Sequence, residues 1–410
     1  MEKKGISPIL GRQSIRLEQP VYIADSASVV GKKEGEGPLG SLFDQVGEDD
    51  LFGASTWEEA ESSLQKRALG AAMQKAGWKK EDIRFLLAGD LLGQEIATSF
   101  GLLDFGIPLF GLYGACSTCG LSLTLGSILL AAGFARRTAC VTSSHFASAE
   151  KEFRFPLGYG NQRPLSATWT VTGSGAFLLA SEDGLKTGPG AGADAQKKGA
   201  VGMGMPEAEA AGAGASKKGG TGRGASETGA AVANSPGTEE SPAFRARITG
   251  LTPGRILDSG LKDSMNMGAC MAPAAADTIE AHLKDFGRRP YYYDKIITGD
   301  LGKIGQTVLI DLLNKKGIDI SGQHMDCGIE IYDAGEQDTH AGGSGCGCSA
   351  VVLSAYILKM LEQGVWKRVL FAPTGALLSK TSFNEGQNVP GICHALVLEG
   401  EQRYCSLESQ

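Results

Sequence analysis

The sequence contains no apolar segment long enough to cross a membrane. Its most apolar stretch covers residues 121–134, whereas a membrane-spanning helix needs about 20 apolar residues. No apolar run follows Lys3 and Lys4 that would indicate an export signal. We therefore expect a protein that is made and kept in a cytoplasm, and we expect residues 121–134 to form a helix buried within it.

Clustered positive charge is also missing from the sequence. The 39 basic and 46 acidic residues give a formal net charge of −7, and no run of Lys or Arg is longer than two residues. This charge distribution argues against a nucleic-acid partner. The nine cysteines are an odd number spread through a long chain, which does not favour a disulfide framework.

Glycine, by contrast, is abundant, with 59 of the 410 residues. One segment, residues 186–242, contains 14 Gly and 13 Ala but no Leu, Ile or aromatic residue. A segment of this composition cannot form a hydrophobic core, so we predict a flexible insert. The insert divides the chain into an N-terminal half, residues 1–185, and a C-terminal half, residues 243–410.

The two halves repeat one order of predicted elements: strand, helix, strand, loop, buried helix, strand. An apolar run ends in Gly-Asp at both Asp90 and Asp300, and a glycine-rich turn precedes an apolar helix in both halves. The closing strands are predicted over residues 173–180 and 394–399. Short apolar strands that alternate with helices predict a mostly parallel sheet with helices on both faces. We therefore predict a duplicated α/β fold, whose halves pack through their central helices as five layers around a ligand crevice.

Cys116 is the sharpest candidate for chemistry. It stands in a Gly-Ala-Cys-Ser-Thr turn directly before the apolar helix, where backbone N–H groups and the positive end of the helix dipole converge. Such a position can lower a thiol pKa and create a nucleophile. It can equally hold an anionic ligand without any chemistry. A third interpretation is that Cys116 is only a small buried residue in a tight turn.

Other cysteines raise the question of a metal site. Cys116 and Cys119 form a CxxC pattern, and Cys346 and Cys348 form a CxC pattern. A zinc site is typically built from Cys and His pairs in compact turns, whereas the CxxC pattern here opens an apolar helix. We therefore predict no metal, and we expect Cys119 to be a core residue.

Histidines and acids at predicted strand ends are further candidates. His145 follows a strand, and the carboxyl ends of strands are where α/β proteins bind ligands. His324 lies in a polar turn, while Asp90 and Asp300 are either pocket residues or helix caps. The remaining histidines are His282, His340 and His394.

Several motifs together resemble a known family. The duplicated halves, the Cys at a helix start and the GSGA strand resemble the thiolase and ketoacyl synthase superfamily. More specifically, the chain resembles the stage V sporulation protein AD family of endospore-forming bacteria. The motifs that carry this resemblance are GPLGSLFD (37–44), AGDLLGQ (88–94), FGLYGACST (110–118), TSSH (142–145), TVTGSGA (170–176), MNMGACMAPAAADTI (265–279), GSGCGCSA (343–350) and TGALLS (374–379).

The superfamily resemblance implies a test for catalysis. A thiolase-like enzyme would need two partners for Cys116 from the second half, His and His or His and Asn, to move protons and polarise a thioester. In their places this sequence has Gly299 with Asp300, and Ser344. The resemblance therefore implies a non-catalytic, ligand-binding descendant. The alternative is an acyltransferase that uses Cys116 on an acyl thioester.

The family resemblance also implies a ligand, pyridine-2,6-dicarboxylate (dipicolinate), and leaves open whether calcium accompanies it. The candidate ligand-binding residues are Cys116, Ser117, His145, His324 and Asp90, with Cys116 and Ser117 placed first because their N–H groups could receive a carboxylate. No cofactor is implied.

Partners follow from the same resemblance. It implies the membrane subunits encoded in the same spore operon, with the protein made in the forespore and held peripherally at the inner spore membrane. The superfamily also implies a homodimer.

Overall fold

The computed structural model describes residues 8–154, 163–186 and 244–400. Of the predicted insert, residues 187–242 lie outside these ranges. Within the described ranges, no helix is both long enough and apolar enough to span a bilayer.

Strands and helices alternate through both halves. The strands are β1 (Ile9–Leu10), β2 (Ser14–Val30), β3 (Gln45–Val46), β4 (Phe85–Gly89), β5 (Leu109–Gly111), β6 (Arg137–Ser144), β7 (Trp169–Thr170), β8 (Gly173–Ala180), β9 (Ala246–Thr252), β10 (Lys295–Thr298), β11 (His324–Asp326), β12 (Gly343–Ser344), β13 (Arg368–Ala372), β14 (Thr374–Ala376), β15 (Gly391–Cys393) and β16 (Ala395–Glu399). The helices are α1 (Lys32–Gly35), α2 (Trp57–Ala76), α3 (Ile96–Leu102), α4 (Thr118–Ala131), α5 (Phe146–Ala149), α6 (Glu182–Lys186), α7 (Met267–Asp285), α8 (Gly302–Asn314), α9 (Cys327–Glu330), α10 (Cys346–Val352), α11 (Leu358–Glu362) and α12 (Lys380–Asn384).

The two halves share one mixed sheet. Its strands follow the order β11, β10, β13, β16, β9, β2, β8, β6, β4 and β5. The strands at either end pair in parallel: β10 pairs with β11 and β13 on one side, and β4 pairs with β5 and β6 on the other. The central strands are antiparallel, and the β2–β9 pair joins the halves. The prediction of a mostly parallel sheet is therefore wrong.

The prediction of a mostly parallel sheet failed because two strands were not predicted and two others run in the opposite direction to the one expected. The apolar pattern predicted neither β2 nor β9 as a strand, and β2 in particular contains polar residues such as Glu18 and Gln19. The predicted closing strands β8 and β16 are present, but they run antiparallel to their neighbours β6 and β13.

Side chains on opposite faces of the strands divide the interior into three cores. In β4, Leu87 packs into a central core with β13 residue Phe371, while its neighbour Leu86 faces an outer core that contains α2 residue Leu64. The other outer core includes Ile296 of β10 and Leu309 of α8. Helices α4, α10 and α11 fill the central core. Leu86 and Leu87 reach different cores because successive strand residues point to opposite faces of the sheet. The result is the predicted five layers: helices, one part of the sheet, central helices, the other part of the sheet, helices.

The central helices begin where the two halves meet. Helix α4 starts at Thr118 and ends at Ala131, close to the predicted buried helix, and contacts α10 of the other half. Its small residues permit this burial, since Gly126 lies against the Leu179 and Cys140 side chains with little room for a Cβ. The turns that precede α4 and α10 therefore face each other across the interface between the halves.

Candidate functional site

The turn that contains Cys116 is fixed by its own hydrogen bonds. Ala115 has a positive φ of 50°, which is uncommon for a residue with a side chain. Thr118 holds the turn on both sides, because its hydroxyl accepts from the Gly114 N–H at 3.1 Å and donates to the Ala115 carbonyl at 2.6 Å. The strained Ala115 backbone therefore presents Cys116, whose side chain is buried, toward the second half.

Ser117, the second predicted anion contact, is occupied within the protein. Its hydroxyl donates to the Gly114 carbonyl at 2.6 Å, and its backbone N–H donates to the same carbonyl at 3.1 Å. The residue is fully buried. A carboxylate that received the Ser117 N–H would have to displace this bond.

Asp300, from the second half, reaches the Cys116 thiol. It follows β10 and accepts hydrogen bonds from the Thr374 hydroxyl at 2.8 Å and the Gly345 N–H at 3.1 Å. The Cys116 thiol lies within hydrogen-bonding reach of the same carboxyl group. Cys116 is thus paired with a buried acid rather than with a histidine.

This pairing keeps the thiol protonated. Burial and then the nearby Asp300 raise the pKa of Cys116 well above its ordinary value. Burial likewise raises the pKa of Asp300, to about 7, against the lowering effect of its hydrogen bonds. Because the thiolate is the nucleophilic form, the arrangement opposes activation of Cys116.

A small cavity opens beside Cys116, and we refer to it as the Cys116 cavity. Its volume is about 40 Å³, which is room for about three water molecules at roughly 10–15 Å³ each. Among the described residues, its lining contains no Lys, Arg or His. The lining residues are Leu91, Tyr113, Ala115, Cys116, Ala149, Phe153, Thr170, Met267, Ser344, Gly345, Ala376 and Leu378.

Ser344 supplies an unused polar group to this cavity. Its hydroxyl is buried and has no hydrogen-bond partner among the described residues. Strand β12 positions it by parallel pairing with β7, which places Ser344 opposite Thr170. A buried hydroxyl without a partner is costly, by about 1–3 kcal/mol. A ligand or water molecule in the cavity would relieve that cost.

His145 lies outside the cavity lining. Its Nε2 donates to the Asp50 carbonyl at 2.7 Å, and its Nδ1 accepts from the Ala147 N–H at 3.1 Å. Burial lowers the pKa of His145, and the ring packs against Trp57. In this structure His145 caps α5.

His324 is also remote from the cavity lining. It begins the edge strand β11, where Nε2 donates to the Thr298 hydroxyl at 3.0 Å and Nδ1 accepts from the Gln306 amide at 3.0 Å. Burial lowers its pKa to about 4. The structure therefore places neither predicted histidine in the cavity lining, which also lacks His282, His340 and His394.

Asp90 has a local role. It accepts from the Leu92 N–H at 2.7 Å, from the Thr98 N–H at 2.8 Å and from the Thr98 hydroxyl at 2.6 Å. Burial raises its pKa despite these bonds. The neighbouring residue Leu91 lines the cavity, but Asp90 does not.

The remaining predicted cysteines are packed in the protein. Cys119 is completely buried in the central core. The Cys346 thiol donates to the Ser143 carbonyl at 2.8 Å, and the Cys348 thiol donates to the Gly299 carbonyl at 3.5 Å. No group of His, Cys, Asp or Glu suited to a metal ion occurs in the described ranges.

Sequence reasoning missed two buried acids near these groups. Asp326, at the end of β11, accepts from the Thr298 hydroxyl and from the N–H groups of Leu301 and Gly302, and burial raises its pKa to about 6. Glu61 accepts from two serine hydroxyls, and burial and Asp90 raise its pKa. Glu61 could have been found, because it lies one turn before Leu64 on the apolar face of α2.

Comparisons with known proteins agree on one family. The model of the stage V sporulation protein AD (SpoVAD) family matches residues 11–218 and 210–399. The chain is 37% identical over 391 residues to Stage V sporulation protein AD of Bacillus subtilis (strain 168), and the match covers 95% of this chain and 98% of that protein.

Solved structures agree on the fold. A variant of OleA from Xanthomonas campestris with a glutamate replaced by glutamine matches with a TM-score of 0.52 at 14% identity, covering 94% of this chain and 99% of that chain. A second OleA variant from the same organism, with a histidine replaced by alanine, gives the same TM-score, identity and coverage. At this identity the likeness bears on the fold alone, which is thiolase-like.

Proposed function

Because the chain belongs to the stage V sporulation protein AD family, we propose that it acts in sporulation as a non-catalytic protein that binds dipicolinate. The binding site in this proposal is the Cys116 cavity between the two halves. The cavity contributes hydrogen-bond donors and an apolar wall, and no covalent step takes place.

The observation that carries the proposal is the pairing of Cys116 with Asp300. Acyl transfer needs a base that removes the thiol proton and donors that stabilise an oxyanion. At this position the chain has a buried carboxyl group, and burial together with this group raises the pKa of Cys116. This arrangement supports retention of an acyl-transfer fold without its chemistry.

The cavity wall supports a flat, aromatic ligand. Tyr113 and Phe153 line it, and Ser344 offers a hydroxyl with no partner among the described residues. A ring with carboxyl groups can contact the aromatic side chains and accept a hydrogen bond from Ser344. Since the cavity is smaller than dipicolinate, binding requires the half-exposed Tyr113 to move outward.

The alternative function is acyl transfer through Cys116. The thiolase-like fold and the strained backbone at Ala115 favour it, because strain of this kind is common at active sites. The test is exposure of the protein to an acyl thioester, followed by mass spectrometry of the Cys116 peptide. An acylated Cys116 would establish the alternative and overturn the non-catalytic role.

We further propose that the protein is a homodimer. Strand β5 is an edge of the sheet and exposes Leu109 and Phe110, and the preceding residues Phe100 and Leu103 are exposed as well. An exposed apolar edge strand can pair with another chain, and a second copy would cover it. Light scattering on the protein and on a Phe110→Lys variant tests this, since the variant should be a monomer.

The membrane subunits of the same spore operon are the proposed larger partners. In this proposal the protein is held at the inner spore membrane through those subunits rather than through a helix of its own. Fractionation of spores with and without the membrane subunits tests this location. Loss of the protein from the membrane fraction in their absence is the expected result.

Isothermal titration with dipicolinate tests the binding function directly. Wild-type protein is titrated with and without calcium, and benzene-1,3-dicarboxylate, which lacks the ring nitrogen, serves as the control ligand. Ser344→Ala should weaken binding about tenfold, the value of one hydrogen bond of roughly 1–1.5 kcal/mol. Ser349→Ala is the matched control, because Ser349 is a buried serine of α10 outside the cavity lining.

Three outcomes decide the proposal. Binding that is weakened by Ser344→Ala and not by Ser349→Ala supports the cavity as the site. Equal affinity in all three proteins contradicts this location. No heat at millimolar dipicolinate contradicts the binding function of this chain.

A further inference from the structure

The charges around the Cys116 cavity are unusual for a site that holds an anion. No cationic side chain occurs in the part of the lining that the structure describes. Behind the lining, the Asp300 carboxyl contacts the Gly345 N–H and reaches the Cys116 thiol. A dicarboxylate would therefore approach a buried acid and meet no positive charge in the wall.

The groups that face Asp300 cannot neutralise it. One oxygen accepts from Thr374 and the other from Gly345, which are both uncharged donors. Asp326 is a second acid close enough to raise the pKa of Asp300. The thiols of Cys116, Cys327, Cys346, Cys348 and Cys393 also interact with Asp300.

We propose, on the basis of the ligand-binding function above, that an anionic ligand enters the Cys116 cavity together with one proton, and that Asp300 holds this proton. The proton comes from solvent and converts the Asp300 carboxylate into a carboxylic acid. No covalent bond to the ligand forms or breaks. The protonated acid no longer repels the ligand carboxylate, and it becomes a hydrogen-bond donor.

The geometry explains why Asp300 is the acceptor of the proton. Two carboxylates that share a buried site cannot both remain ionised, so one takes up a proton. Asp326 receives two backbone N–H groups, at 2.9 and 3.0 Å, and a hydroxyl, which stabilise its charged form. Asp300 receives one N–H, one hydroxyl and the thiol of Cys116, which is a weaker donor than an N–H. Of the two acids, Asp300 is therefore the one that is more easily protonated, and it is the one in contact with the cavity wall.

Proton uptake at Asp300 fixes the sign of the pH dependence. Burial places the pKa of Asp300 at about 7 in the empty protein. Well below that pH, Asp300 already carries the proton, so binding takes up none. Well above it, each ligand brings in one proton, and the binding constant falls by up to about tenfold for each further pH unit.

Titration calorimetry in pairs of buffers tests the inference. Dipicolinate is titrated into wild-type protein at pH 8 in phosphate and in Tris, whose heats of ionisation differ, and again at pH 6 in phosphate and in imidazole. The difference in heat between the buffers of each pair gives the number of protons taken up. We expect close to one proton at pH 8 and close to none at pH 6.

Two variants sharpen the test. Asp300→Asn is a permanently uncharged mimic, since its amide can still accept from Gly345 and donate to Thr374, so it should bind with no proton uptake and with affinity independent of pH. Glu34→Gln is the matched control: Glu34 is another buried acid with a pKa raised to about 7, and its carboxyl accepts from the Thr172 N–H rather than from a residue of the cavity lining. Proton uptake in Glu34→Gln should match that of the wild type.

Loss of proton uptake can be told apart from loss of the binding function. Binding at pH 8 with no buffer dependence in the wild type overturns proton uptake and leaves ligand binding intact. Proton uptake that persists in Asp300→Asn overturns the assignment to Asp300. Absence of heat at both pH values in every buffer overturns the binding function, and the inference with it.

Discussion

Asp90 and Asp300 occupy equivalent positions in the two halves, but their side chains have different partners. Each follows a glycine at the end of an apolar strand: Gly89 is the last residue of β4, and Gly299 comes directly after β10. Among the described residues, Asp90 accepts from Leu92 and Thr98, which belong to its own half. Asp300 reaches Cys116 of the other half. A duplicated position thus became a local cap in one half and part of the cavity surroundings in the other.

The same contrast holds for the two turns before the central helices. Ala115 with positive φ precedes Cys116, and Gly345 with a φ of 101° precedes Cys346. The Cys346 thiol is satisfied by the Ser143 carbonyl at 2.8 Å. The Cys116 thiol instead lines a cavity. The thiol of the Cys346 turn is therefore used up in a contact between the halves, whereas the thiol of the Cys116 turn is left facing a cavity.

The largest expected effect on stability comes from removing the Asp90 side chain, which caps its own half. Asp90→Ala leaves three donors without their acceptor, so it should lower the free energy of unfolding by about 3 kcal/mol or more, at roughly 1 kcal/mol or more per buried donor. Asp300→Ala removes the acceptor of one N–H, one hydroxyl and the weakly donating Cys116 thiol, and it should lower the free energy of unfolding by about 2 kcal/mol on the same basis. Urea unfolding measures both. A larger loss for Asp300→Ala would contradict the division of roles.

The pH dependence of stability gives the next largest effect. Because burial holds the pKa of Asp300 at about 7, above its ordinary value of 3.8, the folded state keeps this proton to a higher pH than the unfolded chain. The contribution of proton binding at Asp300 to the free energy of unfolding is therefore complete below pH 3.8 and is lost as the pH rises through 7.

Asp300→Asn should remove this contribution. Between about pH 5 and about pH 8.5 the wild type should lose on the order of 2–3 kcal/mol more stability than the variant does. Unfolding curves at both pH values measure the difference. Identical pH slopes for the two proteins would contradict the assigned protonation of Asp300.

A smaller effect on stability is expected from a substitution at Gly375, where the second half contacts the Cys116 turn. A Cβ at Gly375 would lie 2.5 Å from the Gly114 carbonyl oxygen and 3.0 Å from the Ser117 nitrogen. Gly375→Ala should therefore shift the turn, lower stability by about 1–3 kcal/mol and weaken dipicolinate binding.

Gly70→Ala is the control for that substitution. Gly70 lies within α2, and no atom comes within 4 Å of the point where its Cβ would stand, so Ala should stabilise the helix by about 0.5–1 kcal/mol. Thermal unfolding compares the two variants. Unchanged ligand binding in Gly375→Ala would show that the turn tolerates displacement.

Much of the layered fold follows from local sequence pattern. The strand predicted over residues 173–180 has the bounds of β8, and the helix predicted from 121 overlaps α4. Both are continuously apolar, so burial alone indicates them. Strand β2 was not predicted because its solvent-facing residues interrupt the apolar pattern. The strand directions were not predicted because periodicity carries no information on which neighbour a strand joins.

The candidate site was predictable only in part. The turn before an apolar helix identified Cys116 and placed it at the interface between the halves. The contact between Cys116 and Asp300 joins residues 184 positions apart in the chain, so no local spacing could reveal it. His145 was predicted from a strand end and His324 from a polar turn, but their side chains bond to Asp50 and Thr298 instead of lining the cavity. Side-chain direction after a strand depends on tertiary packing.

The smallest expected effect concerns the reactivity of Cys116, and it tests the contrast between the two acids most finely. Since burial and the neighbouring Asp300 raise its pKa well above the ordinary value, Cys116 should react with iodoacetamide at about pH 7.5 far more slowly than a free thiol, because only the thiolate reacts. Peptide mass spectrometry follows the modification, and the urea-unfolded chain provides the reference rate. Asp300→Asn removes a negative charge beside the thiol and should increase the rate severalfold, whereas Asp90→Asn, which changes an acid outside the cavity lining, should leave it unchanged. Rapid alkylation of the wild type would mean that the thiol is activated by some other group, and acyl transfer would then become the better account of the site.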